Sequence, residues 1–187
     1  ISDRDIVDIN APMYTYTSIH SSLNGNRILH LRYNEEMDAM ISVDRRGNIE
    51  YWNASTGKIP SNHVQFRYKT ETDLYELMKQ KTYPVSLSVS RDGKRFVVMC
   101  RDRCVRIFDY CTGKLLQTID ESLAQLAKVQ QSQNSEFVLE NIDFGRRMAI
   151  EKELEKQLDT IFDHTNHKLV APCSNVLFDD SGTLVIY

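Results

Sequence analysis

The stretch DRRGNIEYWNASTGK (residues 44–58) decides the fold, because a shorter copy of it, DRCVRIFDYCTGK, returns at residues 102–114. Each copy opens on an acidic turn and continues with alternating apolar and polar residues, which is the period of a half-buried β-strand. An aromatic residue closes each strand, Trp52 in the first copy and Phe108 in the second. A short polar residue and a Thr-Gly-Lys turn follow, where glycine suits a positive φ. The two copies therefore predict a repeated β-unit.

Further strand patterns surround both copies. Before each copy stand two apolar segments joined by a polar turn, and after the second copy stands a fourth segment, KLLQTI (residues 114–119). Such close spacing predicts meanders of antiparallel strands. A last hairpin pattern, NVLFDDSGTLVIY (residues 175–187), places residues 179–182 in the same role as the turn at residues 91–93.

This pattern is typical of WD-repeat blades, in which a strand with an aromatic end and a polar turn recurs at a fixed interval. The predicted fold is all-β with helical insertions: a partial WD-repeat β-propeller of about two full blades plus parts of two others. Such a partial ring is expected to leave strand edges open. The predicted segments are a blade remnant (1–26), a blade (27–58), an insertion with a short helix (59–83), a blade (84–119), a helical insertion (120–171) and the start of a further blade (172–187).

The interval between equivalent turn glycines exceeds the roughly 40 to 45 residues of an ordinary blade, so both intervals must hold insertions. In the first insertion, Thr70 and Thr72 are N-cap candidates for a short helix with Leu74, Leu77 and Met78 on one face. An internal structural blade needs neither this insertion nor the second one, which favours an interaction role for the chain.

The second insertion predicts two helices. Ser122 and Gln125 have the spacing of a capping box, and Leu123, Leu126 and Val129 follow as apolar positions. A polar break at residues 130–136 precedes FGRRMAIEKELEKQLDTIF (residues 144–162). Its helical stripe comprises Met148, Leu154, Leu158 and Ile161.

Composition predicts a globular intracellular protein. The chain has 187 residues, 41% of them hydrophobic, and a net charge of −3. No apolar run approaches the roughly 20 residues that span a bilayer, and the first residues lack the pattern of a signal peptide. The chain begins without Met, as a piece of a longer protein would. Its four cysteines, Cys100, Cys104, Cys111 and Cys173, form no C-x-x-C pair and are expected to be reduced packing thiols.

The insertions carry a more specific resemblance than the blades. TETDLYEL (residues 70–77), VRIF, TGK, DESL (residues 120–123) and FGRRMAIEKELEK (residues 144–156) resemble the WD-repeat region of the nuclear cyclophilins named peptidylprolyl isomerase domain and WD repeat-containing proteins. The resemblance covers about residues 28–187. It implies a parent protein with an N-terminal propeller, a C-terminal cyclophilin domain and a place in the nuclear spliceosome. No position here matches the cyclophilin domain, so no isomerase active-site residue is carried over.

No catalytic, cofactor or metal residue is predicted. His164, His167 and Cys173 could supply three zinc ligands, but no fourth ligand is evident and a polar loop is the preferred interpretation. The sequence has neither a G-x-S-x-G elbow nor a phosphate-binding G-x-x-x-x-G-K-S/T loop. Asp44 and Asp102 are expected to hydrogen-bond their own turns, and Trp52 and Phe108 are expected to pack between blades.

The predicted function is a non-catalytic protein-interaction scaffold with spliceosomal protein partners. The candidate partner-binding residues are Arg101, Arg103, Arg146, Arg147, Met148 and Glu151. The alternative is an RNA-binding module that uses these arginines with Arg45, Arg46, Lys94, Arg95 and Arg106, although solvated loop charge explains them as well. An enzyme is the weakest hypothesis, and neither a membrane nor a small-molecule substrate is expected.

The helix from residue 144 could either dock onto the parent assembly or cap the open propeller, and the sequence leaves both open. Arg147 with Glu151, and Glu153 with Lys156, are spaced to pair along it. Such exposed pairs stabilise a helix by only about 0.2–0.5 kcal/mol each. Arg146 and Arg147 could instead fork onto an acidic partner.

Overall fold

The strands form three antiparallel sheets of three, four and two strands. The computed structural model describes residues 27–53, 55–131, 140–162 and 175–187. The predicted blade remnant at residues 1–26 lies outside them. In chain order the sheets contain β1 (Ile28–Asn34), β2 (Ala39–Asp44) and β3 (Ile49–Trp52); β4 (Pro84–Val89), β5 (Arg95–Cys100), β6 (Cys104–Asp109) and β7 (Leu115–Asp120); β8 (Leu177–Phe178) and β9 (Val185–Ile186).

Each sheet pairs its strands in chain order, which confirms the predicted meanders of a partial WD-repeat propeller. The described sheets do not close into a ring. Among the described residues, three α-helices and one short 3-10 helix lie between them: the 3-10 helix (Lys69–Glu71), α1 (Glu76–Lys79), α2 (Leu123–Gln131) and α3 (Asn141–Phe162).

The turns that follow β3 and β6 are built alike, which confirms the sequence repeat. The side-chain oxygen of Asn53 accepts backbone N–H groups of the next turn at 3.0 Å, and that of Asp109 does so at 2.7 Å. The N–H of Gly57 returns to the carbonyl of Asn53 at 2.8 Å, and the N–H of Gly113 returns to that of Asp109 at 3.0 Å. Both glycines have φ near +65°, at +66° and +63°, where a Cβ is disfavoured.

The last hairpin repeats the β4–β5 turn, as predicted. The N–H of Gly93 donates to the carbonyl of Ser90 at 2.9 Å, and the N–H of Gly182 donates to the carbonyl of Asp179 at the same distance. Asp179 and Ser90 thus hold equivalent positions at the start of a tight turn.

An aromatic cluster fills the core between the first two sheets. The rings of Phe96 and Phe108 stack with centroids 4.9 Å apart, and those of Tyr51 and Tyr110 stack at 4.5 Å. These side chains are buried in one hydrophobic cluster. The ring that the first sheet contributes is Tyr51, whereas Trp52 is half-buried and donates its indole N–H to Ser42 Oγ at 3.1 Å. Of the two aromatic residues that close the repeated strand, Phe108 therefore faces this core and Trp52 does not.

Side-chain to backbone hydrogen bonds join neighbouring sheets. Arg32 donates from Nε to the carbonyl of Leu87 at 3.1 Å, and buried Asn34 donates from Nδ2 to the carbonyl of Gly93 at 2.8 Å. The hydroxyl of Ser86 accepts the N–H of Val176 at 3.0 Å, which attaches the last hairpin to β4. Buried backbone groups thus find partners across the sheet boundaries.

The first insertion forms less helix than its sequence predicts. Tyr75 and not a threonine is the N-cap of α1, while Thr70 lies inside the 3-10 helix. Thr72 makes a local turn instead, because its hydroxyl accepts the N–H of Leu74 at 3.2 Å. Leu74 and Leu77 are buried in the inter-sheet core, but Met78 is 37% exposed, so the predicted three-residue face is wrong at its last position.

This insertion is part of the blade framework. The backbone N–H of Asp73 donates to the carbonyl of Gly113 at 2.9 Å, and the Asp73 carboxylate accepts the N–H of Leu115 at 3.0 Å. Lys69 pairs with Glu50 of β3 at 2.7 Å. Among the described residues the first sheet has no fourth strand, and the insertion lies against β3 instead.

The second insertion begins as predicted. Ser122 Oγ accepts the N–H of Gln125 at 3.3 Å, which is the N-cap half of the predicted box. The second predicted helix begins at Asn141, three residues before the expected start. Helix α2 continues to Gln131, two residues into the predicted polar break. The rest of the break, from residue 132, lies outside the described part of the chain.

We expect Ser122→Ala to destabilise the protein by about 1 kcal/mol, because the mutation removes the side-chain acceptor for an orphan N–H at the start of α2. Urea unfolding followed by circular dichroism measures this. Ser122→Asp is the matched control, since aspartate is an equally good N-cap, and it should unfold like the wild type. Equal losses for alanine and aspartate would contradict a capping role.

Candidate functional site

A groove of about 270 Å³ opens between the second sheet and the helices of the second insertion. Its apolar floor combines Val85 of β4, Met99 of β5, Val105 of β6 and Leu126 of α2. Val105 is fully buried, and Val85 is nearly so. Strands, α2, α3 and the last residue of the chain thus all contribute to one concave surface.

The rim of the groove contains charged residues. Arg101 and Arg103 come from the turn between β5 and β6, and Arg147 and Glu151 come from α3. Glu121 stands between β7 and α2. Three guanidinium groups and two carboxylates therefore surround an apolar floor.

Four of the six predicted partner-binding residues meet in this groove: Arg101, Arg103, Arg147 and Glu151. Arg146 and Met148 are not among its lining residues. Met148 is half-buried, whereas Arg146 is exposed and lies 3.8 Å from Asp143 on its own helix. Consecutive helical residues point about 100° apart, so Arg147 lines the groove while Arg146 points away from it.

Glu151 pairs with Arg103 and so links α3 to the turn between β5 and β6. Both side chains are about one-fifth exposed, at 21% and 22%. The expected partner of Glu151 was Arg147 on its own helix, so the ion pair is made across to the sheet instead. Leu154, Leu158 and Ile161 of the predicted stripe lie where the structure describes no side chains.

Arg106 is not solvated, which corrects its assignment to the exposed loop charge. Its guanidinium forks onto Asp102, with Nη1 donating to Oδ1 at 3.1 Å and Nη2 donating to Oδ2 at 2.6 Å. Burial opposes the charge, but the bonds to Asp102 prevail and raise the pKa of Arg106. Asp102 also accepts the N–H of Cys104 at 3.1 Å, which confirms its predicted role in its own turn.

Asp44 likewise holds its own turn, as predicted. Its Oδ1 accepts the N–H of Arg46 at 2.8 Å and the N–H of Asn48 at 2.9 Å. Of the remaining basic residues, Arg46 and Lys94 are exposed, in the β2–β3 and β4–β5 turns. Neither lines the groove.

Sequence reasoning missed Glu121 and Tyr187. The phenol of Tyr187 donates to Glu121 Oε1 at 3.0 Å across the groove rim. Partial burial and this bond raise the pKa of Tyr187. Glu121 lies beside a predicted helix cap, but 66 residues separate the two partners, and no local pattern signals such a contact.

Relatives in the sequence comparison identify the family. Peptidyl-prolyl cis-trans isomerase CYP71 of Arabidopsis thaliana is 43% identical over 100% of this chain and 28% of its own length. Human peptidylprolyl isomerase domain and WD repeat-containing protein 1 is 39% identical over 95% of this chain and 25% of its own length. The chain belongs to this family of WD-repeat peptidylprolyl isomerases. It spans about a quarter of the length of these relatives. No protein-family model matches it.

Solved structures similar to this family member include WD40 domains. The C-terminal WD40 domain of Sif2 is 15% identical and overlaps 52% of this chain and 24% of that chain, with a TM-score of 0.37. The WD40 repeats of RRP9 are 16% identical and overlap 52% of this chain and 29% of that chain, with a TM-score of 0.36. Both overlaps are confined to about half of the chain, so nothing about function is taken from them.

The described cysteines of this family member pack inside or beside the second sheet. Cys100, Cys104 and Cys111 are free thiols. Burial raises the pKa of Cys100 to about 12 and that of Cys104 to about 11, so both are protonated at neutral pH. Cys173, with His164 and His167, falls outside the described ranges.

Among the residues that the structure describes, no cluster of three or more His, Cys, Asp or Glu side chains could hold a metal ion. No helix among them combines the length and the apolar character that crossing a membrane requires.

Proposed function

We propose that this chain is a non-catalytic protein-interaction module: the WD-repeat part of a nuclear peptidylprolyl isomerase that associates with the pre-mRNA splicing machinery. Membership of the WD-repeat peptidylprolyl isomerase family supports the first half of this proposal. The observation that carries the interaction role is the groove, in which an apolar floor is surrounded by arginines. Apolar centres with a charged rim are the usual anatomy of protein-recognition surfaces.

The size of the groove favours a protein partner over a metabolite. Pockets for small molecules usually enclose roughly 300–1,000 Å³, and this groove, at about 270 Å³, falls below that range. One or two side chains of a partner would fill it. Spliceosomal proteins that present such a side chain are the proposed partners.

Helix α3 supports a docking role because two of its described apolar side chains are not used by the fold. Ile142 and Ile150 are 68% and 62% exposed, so this side of the helix packs against none of the described sheets. Over residues 141–153, where every side chain of α3 is described, the half-buried positions are Phe144, Met148 and Glu151, at helical spacing. A stretch of helix that only capped the propeller would bury more apolar surface than these residues do.

RNA binding is the second candidate, since Arg46, Lys94 and Arg147 are all exposed. A phosphate backbone would be held by several such charges, and its affinity would fall steeply with salt. The groove is less suited to it, because Glu121 and Glu151 stand on the same rim as the arginines. The net charge of −3 also opposes a polyanion.

We expect Arg147→Ala to lower the recovery of splicing proteins with the tagged protein about tenfold, because a charge-assisted hydrogen bond to the partner is lost. Affinity purification from nuclear extract, with quantitative mass spectrometry of known spliceosomal subunits, measures the effect. Arg146→Ala is the matched control, since it removes the neighbouring charge, which does not line the groove.

Three results would count against the proposal. Equal recovery of spliceosomal subunits with both variants would show that the groove does not take part in the interaction. Absence of spliceosomal subunits from the wild-type purification would overturn the splicing role. Loss of RNA but not protein from the Arg147→Ala sample, with a steep salt dependence, would favour the RNA-binding candidate.

A further inference from the structure

We infer that the groove binds an extended acidic peptide segment, with one large apolar side chain on its floor and a carboxylate on Arg147. This inference rests on the protein-interaction function proposed above and adds the chemistry of the partner. It concerns a single class of ligand, a peptide in which an aliphatic residue is flanked by glutamate or aspartate.

The floor accounts for the apolar residue. Val85, Met99, Val105 and Leu126 present only carbon and sulfur atoms in their side chains. Three of them project from strands of one sheet, which gives a firm base, and Met99 adds a flexible thioether that adapts to different side chains. An aliphatic side chain of the partner would lose its water contacts here, and apolar burial is the usual source of binding energy.

The rim accounts for the carboxylate. Arg103 is already neutralised by Glu151, and Glu121 already accepts the phenol of Tyr187. Arg147 is exposed, and no described residue forms an ion pair with it. The rim has three arginines and two glutamates, and Arg147 is its exposed arginine, because Arg101 and Arg103 are half-buried. A planar guanidinium at this position can hold a carboxylate through two parallel bonds.

The same charges exclude other ligands. A basic peptide would place a cation beside Arg147, which no described carboxylate neutralises, and this is unfavourable in a partly desolvated groove. A nucleic acid would bring a continuous row of phosphates past Glu121 and Glu151. A short peptide with carboxylates on one side of its apolar residue avoids both conflicts.

The test is fluorescence anisotropy with the purified protein and a labelled eight-residue peptide, in which a central leucine is flanked by glutamates. Saturable binding is expected. Replacing the leucine of the peptide by alanine, or its glutamates by lysines, should weaken binding at least tenfold. On the protein side, Arg147→Ala should weaken binding about tenfold, and Arg146→Ala should leave it within twofold.

A second protein variant tests the floor without touching the charges. Leu126→Ala on α2 enlarges the groove and should weaken binding of the leucine peptide several-fold. Binding of the alanine peptide should be unaffected. Leu126 is only half-buried, so the variant is expected to fold, and circular dichroism spectra check this.

The proposal is overturned if the lysine peptide binds as well as the glutamate peptide, if the two arginine variants behave alike, or if single-stranded RNA displaces the peptide more effectively than unlabelled peptide does. Its failure is distinguishable from that of the proposed function. Loss of spliceosomal recovery in Arg147→Ala without any peptide binding would keep the interaction role and overturn the acidic-peptide ligand. Peptide binding with unchanged recovery would support the ligand chemistry and count against the splicing role.

Discussion

Replacing Leu77 by alanine is expected to lower the free energy of unfolding by about 2–5 kcal/mol, the range for removing an aliphatic side chain from a packed core. Leu77 belongs to the inserted segment but is fully buried in the core between the first two sheets. Its Cβ lies so close to Gly47 that a Cβ built on the glycine would approach it to 2.6 Å. This tight contact leaves the surroundings little room to collapse into a cavity. Urea unfolding monitored by the fluorescence of Trp52 measures the loss.

Met78→Ala is the matched control. Met78 is the next residue of the same four-residue helix, and it is 37% exposed. Alanine is the best helix former, so neither substitution weakens the helix itself. The methionine variant should lose less than about 1 kcal/mol. If the two variants were equally stable, the inserted segment would not be packed into the core, and its assignment to the blade framework would be wrong.

The strands could be predicted from the sequence because their information is local. Alternation of apolar residues fixes which face is buried, and the turn glycines fix where each hairpin ends. The side-chain oxygens of Asn53 and Asp109 even accept the same backbone bond, from the threonine N–H three residues on. The repeat could therefore be recognised although its letters differ.

The first insertion could not be predicted as well, because its structure depends on contacts distant in sequence. Four residues are too few for helix propensity to stabilise α1 alone, so tertiary packing decides where it forms. Thr72 is a suitable N-cap by residue type. However, Asp73 is hydrogen-bonded to the second sheet, and Leu74 is buried in the core between the first two sheets. The helix consequently begins later, after Tyr75.

The candidate site was likewise predictable in its residues but not in their long-range contacts. The sequence singled out Arg103 and Glu151 as separate candidates, but their pairing joins residues 48 positions apart. Arg106 was wrongly assigned to exposed charge, because an alternating strand pattern predicts that its arginine faces solvent. β6 lies between β5 and β7, with the side chains of Val105 and Arg106 both buried, so alternation does not separate an inner from an outer face here.

Asp102→Ala is expected to destabilise the protein by about 3 kcal/mol, because it leaves the charge of Arg106 without its partner. The Arg106 side chain is 5% exposed, and the lost carboxylate accepts two of its N–H bonds. Removing one partner of a buried pair costs roughly 3–5 kcal/mol, and we take the lower end because the Asp102 side chain is 31% exposed. Urea unfolding of the purified variant gives the value.

A double-mutant cycle separates this loss from an ordinary effect of truncation. Arg106→Met keeps much of the buried side-chain volume and leaves a carboxylate that water can still reach, so it should cost less than Asp102→Ala. In the double variant no buried charge remains, and its stability should exceed that of Asp102→Ala, with a coupling of roughly 1–3 kcal/mol. Additive losses would mean that the two residues stabilise the protein independently.

The same cycle has a consequence for the groove, because Asp102 lies between Arg101 and Arg103 in the turn that forms one wall. Arg103 has a φ of +61°, so the turn is held in a conformation that a non-glycine residue seldom adopts. The carboxylate of Asp102 fixes that turn by accepting the N–H of Cys104. Asp102→Ala should therefore weaken peptide binding even where the protein stays folded, and the double variant should regain stability without regaining binding. If binding recovered together with stability, the anchoring of Arg106, and not the shape of the turn, would be what prepares the groove.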